Sequence, residues 1–153
     1  MFQNGKIHDV VIRHLKKSVD ERGWFAKLFR EDEVEQQFKP ITSYISVTHP
    51  DIVRRGHKDV DQADMFAFIG PSNFEVYLWN TRKNSPTLQY KFVFITGGDV
   101  KKSVIIPPGV VHAYKTGGKV LSFPNRLFAG KGKKEPIDEI RHEEHADAVI
   151  QLN

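Results

Sequence analysis

Two short stretches hold side chains that can move protons near neutral pH. In VRRGHKDVDQAD, Val53 to Asp64, a histidine stands three residues after an arginine and is followed by three aspartates. Histidine is the side chain whose ordinary pKa lies nearest neutrality, so His57 can serve as a general base. Arg54 can hold a phosphate or polarise a carbonyl. In PPGVVHAY, Pro107 to Tyr114, the P-x-G-x-x-H spacing marks a tight turn between two strands. Proline fixes the torsion entering the turn and glycine permits the chain to fold back, so the next strand starts in a defined place with His112 near its beginning. Each stretch also has a plainer reading. Lys58, Asp59, Asp61 and Asp64 can neutralise one another on a solvated loop, and His112 can be a half-buried residue beside a hairpin turn. DERGWF, Asp20 to Phe25, and NTRKNSPT, Asn80 to Thr87, each attach an arginine to a turn and specify no chemistry alone. In the tail GKGKKEPIDEIRHEEHADAV, Glu139, His142, Glu143 and His145 have helical spacing, which reads as a solvated charged helix or turn.

The elements that must position these residues are mostly strands. Runs rich in β-branched and aromatic residues predict them at Ile7 to Ile12, Trp24 to Phe29, Ile41 to Thr48, Met65 to Ile69, Phe74 to Asn80, Leu88 to Ile95, Lys102 to Ile106, Val110 to Tyr114 and Lys119 to Phe123. Between them DERG, GPSN, RKNSPT, TGGD, PPG and TGG supply turn residues. Alternation puts Phe74, Val76 and Leu78 on one face and Glu75, Tyr77 and Trp79 on the other, as a sandwich with a lined interior needs. Glu31 to Phe38 and Pro136 to His145 read as short helices. Strands so closely spaced, with so little helix, predict an all-β antiparallel sandwich or jelly roll.

A chain of 153 residues without a linker, repeat or low-complexity segment is expected to form one domain over 1–153. No apolar run approaches the roughly 20 residues that span a bilayer. The start, MFQNGKIHDVVIRH, lacks the pattern of a secretory signal, so the expected location is the cytoplasm. With no cysteine there is no disulfide framework, thiolate metal site or thiol nucleophile. The net charge of +4 is scattered rather than striped, which suits an anionic small ligand better than nucleic acid.

Taken in order, DERGWF, R-x-x-H after a strand, TRKNSPT and IPPGVVHAY resemble the dTDP-4-dehydrorhamnose 3,5-epimerase family of cupin-fold sugar-nucleotide enzymes. The resemblance runs from about residue 7 to residue 145. It implies a cupin-type jelly roll, a double-stranded β-helix with one or two short helices, and a homodimer that shares strands. It implies His57 as the base that abstracts a proton α to a sugar keto group, Arg54 as the arginine of the same motif, His112 facing the barrel interior, and Arg22 touching the nucleotide diphosphate. Gly56 sits one place later than the family glycine. The family's lysine falls at Asp64 and its tyrosine acid at Ser122 or Phe123. The aspartate that opens the family's S-P-T motif is Asn80, and the segment carrying the aspartate that orients the base has no counterpart.

Asp64 and Glu75 are the expected replacements for lost acid or base groups, and Tyr77, Tyr90 or Tyr114 for the lost phenol. The expected catalytic set is therefore His57, His112 and Asp64, with Arg22, Arg54, Glu75 and Tyr114 at the substrate. Three readings stand: an epimerase or keto-isomerase acting on a nucleoside-diphospho-sugar without metal or cofactor, a non-catalytic cupin binding such a ligand, and a metal cupin using His57, Asp59 and His112.

Overall fold

The computed structural model describes residues 1–116 and 118–142. Its strands are β1 (Gln3–Asn4), β2 (Val11–His14), β3 (Lys17–Asp20), β4 (Gly23–Ala26), β5 (Tyr44–Thr48), β6 (Val53–Asp59), β7 (Asp64–Pro71), β8 (Asn73–Asn80), β9 (Tyr90–Gly97), β10 (Lys102–Ile106), β11 (Val110–Lys115), β12 (Gly118–Ser122) and β13 (Glu139–Arg141). They form a six-stranded sheet in the order β1-β9-β8-β11-β6-β13, a five-stranded sheet in the order β2-β10-β7-β12-β5, and a separate β3-β4 hairpin. The pairing is antiparallel throughout except for β1, which runs parallel to β9. The expected all-β jelly roll is what folds.

Alternation decides which side chains fill the space between the sheets. Phe74, Val76 and Leu78 of β8 point inward and meet Phe66, Phe68, Val104 and Val120 from the facing sheet, all nearly inaccessible. Burying each large apolar side chain contributes roughly 1.5–3 kcal/mol, so this face holds the sandwich together. The other face of β8 is covered too. Tyr77 and Trp79 stack there over Val111 and Ala113, with Phe2 against them and the Lys91 ammonium 5.4 and 5.6 Å from the two ring centres.

Both expected helices are corrected. Glu31 to Phe38 makes two 3-10 turns, Glu31–Glu33 and Gln36–Phe38, because Val34 and Glu35 take extended ψ values of 130° and 140°. A run of eight residues is too short to sustain an α-helix by itself, and its use is to lay Val34 and Phe38 over Met65 and Ile105 on the outside of the five-stranded sheet. In the tail, Glu139–Arg141 is the strand β13, paired antiparallel with β6; Glu143 and His145 lie outside the described residues.

The β3-β4 hairpin leaves the sandwich with its apolar residues uncovered. Val19 is 73% exposed, Phe25 61% and Trp24 48%.

Candidate functional site

The site begins with an irregularity in β6. Three-residue spacing in a regular strand puts two side chains on opposite faces, yet both Arg54 and His57 face the interior. The register shows how: His57 pairs with His112 and Arg54 with Tyr114, so Arg55 and Gly56 together oppose Ala113 alone. This is a β-bulge, and the extra residue re-aims the arginine. VRRGHKD is therefore a strand held between β11 and β13, and not a solvated loop. On the far side β13 pairs Glu139 with Asp59 and Arg141 with His57, adding a carboxylate and a guanidinium to the same inner face. The P-P-G turn places His112 as expected. Gly109, at φ +80°, closes it by donating its N–H to the Asp59 carbonyl at 2.9 Å.

Four polar side chains converge between the sheets. A ring nitrogen of His57, a carboxylate oxygen of Asp59, one of Asp64 and a ring nitrogen of His112 lie within 4.8 Å of one another. The imidazoles meet edge to face with centres 4.2 Å apart. His112 is wholly buried and its Nδ1 is 3.2 Å from the Val110 carbonyl. A carbonyl only accepts, so Nδ1 carries the hydrogen and the neutral ring presents the lone pair of Nε2. That nitrogen finds no hydrogen-bond partner among the described residues and sits 3.7 Å from Asp64 Oδ2. Burial first, then His57 beside it, holds the His112 pKa well below the ordinary range, so the ring stays neutral.

Both carboxylates are pushed up, and their neighbours act on them in opposite senses. Burial, with Asp64 as neighbour, pushes Asp59 up to about 9. Burial also raises Asp64, but a hydrogen bond from Asp59, the nearby His57 and the Gln62 amide all oppose that rise. The pair thus holds one proton, on Asp59, and Asp64 accepts it. The strand approach is fixed from outside: Asp138 Oδ2 accepts from the backbone N–H of both Asp61 and Gln62 at 2.8 Å. Two imidazole nitrogens and two carboxylate oxygens are also a donor set that fits a divalent transition metal.

The cluster opens into two lobes. One, of about 700 Å³, runs past Gln62 and Asp64 to Arg126, Phe128 and Ile137. The other, of about 360 Å³, is lined by Arg54, Arg55, Arg141, Phe66, His112 and Tyr114. Tyr44, His57 and Glu139 line both and form the junction.

Of the residues expected at the site, His57, His112 and Asp64 come together, and Arg54 and Tyr114 line the smaller lobe. Two do not. Glu75 lies on the outer face of β8, because it alternates with inward Phe74 and Val76, and it pairs with Lys115 at 2.9 Å. Arg22 is on the exposed hairpin, turned back onto Asp20 at 2.6 Å, and lines neither lobe. Among the phenols proposed as replacements, Tyr77 is on the outer face and Tyr90 packs against the apolar core. The TRKNSPT turn is architectural: the Asn80 amide donates to Ser85 Oγ, Thr87 O and Thr87 Oγ1, and its carbonyl accepts from Arg82. Tyr44 was not foreseen, although the alternation in YISVT, which pairs it with Ser46 and Thr48, was the available signal. Glu139 and Arg141 lie in the IDEIRHE segment, which the family resemblance sets beside the site mouth without assigning it a role.

The sequence model of the dTDP-4-dehydrorhamnose 3,5-epimerase family matches residues 4–123. The probable low-salt glycan biosynthesis epimerase Agl13 of Haloferax volcanii is 31% identical over 127 residues, covering 80% of this chain and 81% of that protein. A dTDP sugar isomerase from Desulfovibrio desulfuricans superposes with a TM-score of 0.77 at 19% identity, over 95% of this chain and 91% of the other. ChmJ, a 3'-monoepimerase from Streptomyces bikiniensis in complex with dTDP-quinovose, superposes at 0.75 with 15% identity, over 92% and 72% of the two chains. The ordered motifs, the jelly roll and these matches agree: the chain belongs to the dTDP-4-dehydrorhamnose 3,5-epimerase family.

Proposed function

We propose that the protein is a sugar-nucleotide epimerase that removes the proton α to the keto group of a nucleoside-diphospho-keto-sugar, with His57 as base. The observation that carries this reading is the position of His57 at the junction of two lobes, beside a buried neutral imidazole and a carboxylate pair that holds a proton. Three arginines, Arg54, Arg55 and Arg141, line the smaller lobe and suit a diphosphate, which guanidinium forks bind well. The larger lobe has the volume of a small-molecule site and mixes apolar with polar walls, as a sugar or a base requires.

The reversed charge at Asp64 then has a chemical answer. An enolate oxygen needs a donor, and a neutral carboxylic acid donates a hydrogen bond as an ammonium does. Asp59 keeps its proton at neutral pH and shares it with Asp64. Turned from Asp64 toward an arriving enolate oxygen, that proton is the donor the pair offers where the family keeps a lysine.

Incubated with keto-sugar nucleotides in deuterated water, the protein is expected to incorporate deuterium at the carbon next to the keto group. His57→Asn is expected to slow uptake about a hundredfold or more. No uptake by the native protein, or uptake unchanged in the variant, refutes the assignment; binding without exchange would make it a recognition module.

A second reading rests on the lone pair of His112 Nε2, which belongs to the four-residue cluster and has no hydrogen-bond partner among the described residues. In it His57, Asp59, Asp64 and His112 hold a divalent transition metal, which would act as a Lewis acid toward the keto oxygen. Metal analysis separates the two: the epimerase reading expects none in stoichiometric amount.

The functional unit in this reading is a homodimer. The exposed β3-β4 hairpin, with Trp24, Phe25 and Arg22, is the element available to reach a second copy.

A further inference from the structure

The junction between the lobes contains a phenol that the base mechanism leaves unused. Tyr44 is the first residue of β5, the edge strand of the five-stranded sheet, and its register partner is Ser122 of β12. Alternation along β5 turns Tyr44, Ser46 and Thr48 toward the cavity and leaves Ile45 and Val47 outside, 59% and 51% exposed. The Ser122 hydroxyl beneath it is buried and close enough to the phenol to act on its proton. His57 and Glu139, the other two residues of the junction, come from the six-stranded sheet. The junction is therefore walled by an imidazole on one sheet and a phenol on the other.

A ligand that occupies both lobes must pass between these walls. Its reacting carbon then has His57 on one face and Tyr44 on the opposite face. Burial, which dominates, raises the Tyr44 pKa, with the Ser122 hydroxyl opposing and Asp64, Tyr114 and Asp59 adding to the rise, so the phenol keeps its proton at neutral pH. Tyr114 also reaches the smaller lobe, but its ring is packed edge-on against Phe68 and Phe74 and it does not line the junction.

We propose that Tyr44 is a catalytic residue of this cavity, the acid that protonates the enolate on the face opposite His57. This rests on the epimerase reading of the same site. His57 takes the proton from the carbon next to the keto group, and the C–H electron pair forms the enolate double bond as the carbonyl oxygen gains charge. The enolate pair then takes the Tyr44 hydroxyl proton to form a new C–H bond on the other face, restoring the carbonyl. Imidazolium and phenolate remain, and both reset by exchange with water, which reaches Tyr44 because 53% of the residue is exposed.

Tyr44→Phe removes one oxygen from a half-exposed ring, so its melting temperature is expected to match that of the native protein. The probe is a dTDP-4-keto-6-deoxyhexose in deuterated water, with exchange and inversion followed separately by NMR. The variant is expected to keep exchange on the His57 face within a fewfold of native while inverted product falls about a hundredfold or more. Inversion at the native rate by the variant overturns the proposal, and so does an equal fall in exchange and inversion. In either case an active native protein leaves the role of His57 standing. A native protein that neither exchanges nor inverts removes the epimerase reading and this inference together.

Discussion

Asp59 and Asp64 face each other inside a cavity wall, and two carboxylates so placed cannot both ionise. The folded protein holds a proton on Asp59 up to about pH 9, whereas the unfolded chain releases it near 3.8. Folded chains thus bind more protons than unfolded ones across that window. The resulting stabilisation is complete below about 3.8 and is lost as pH rises toward about 9. One proton corresponds to a slope of up to about 1.4 kcal/mol per pH unit. Asp59→Asn keeps the donor without the ionisation, so urea unfolding at pH 5 and pH 8 is expected to show a smaller loss of stability for the variant than for the native protein. An equal loss in both would place the pH dependence elsewhere.

Among the elements, the end of β9, where the chain turns toward β10 against the β7–β8 turn, offers a direct check on the packing of chain against chain. Gly97 has φ +142°, and a Cβ there would lie 2.4 Å from the Ser72 carbonyl oxygen. Gly97→Ala is expected to cost roughly 1–3 kcal/mol in denaturant unfolding, since backbone atoms must move to admit it. Strand Lys102–Ile106 was legible to the residue, because a continuous apolar run ends there at the prolines. Strand Val53–Asp59 was not. It carries five charged or titratable side chains in seven positions, and its bulge breaks the period of two by which strands are recognised. The tail misled for the converse reason: IDEIRH has helical spacing, but pairing with β6 outweighs the weak propensity of so short a run. Tyr44 was within reach as an inward position of YISVT, while Glu139 and Arg141 join the site only through a pairing that local pattern does not encode.

At the scale of the whole molecule, the exposed hairpin is the surface that the proposed homodimer would use. If the proposed homodimer forms through this hairpin, Phe25→Glu is expected to convert it into monomers in sedimentation experiments while leaving the thermal stability of the sandwich little changed, because Phe25 is 61% exposed and belongs to neither core cluster. A native protein that sediments as a monomer at micromolar concentration would remove the dimer. The sheet order has a different consequence, one of timing. Strand β6, which bears Arg54, His57 and Asp59, has as its neighbours β11 and β13, both made long after it. During synthesis the residues of the base strand emerge with nothing to pair against, and loop-closure entropy delays such distant contacts. No N-terminal fragment that stops short of β11 can hold the cluster, so the reactive centre is complete only late in synthesis, and chains interrupted midway lack it.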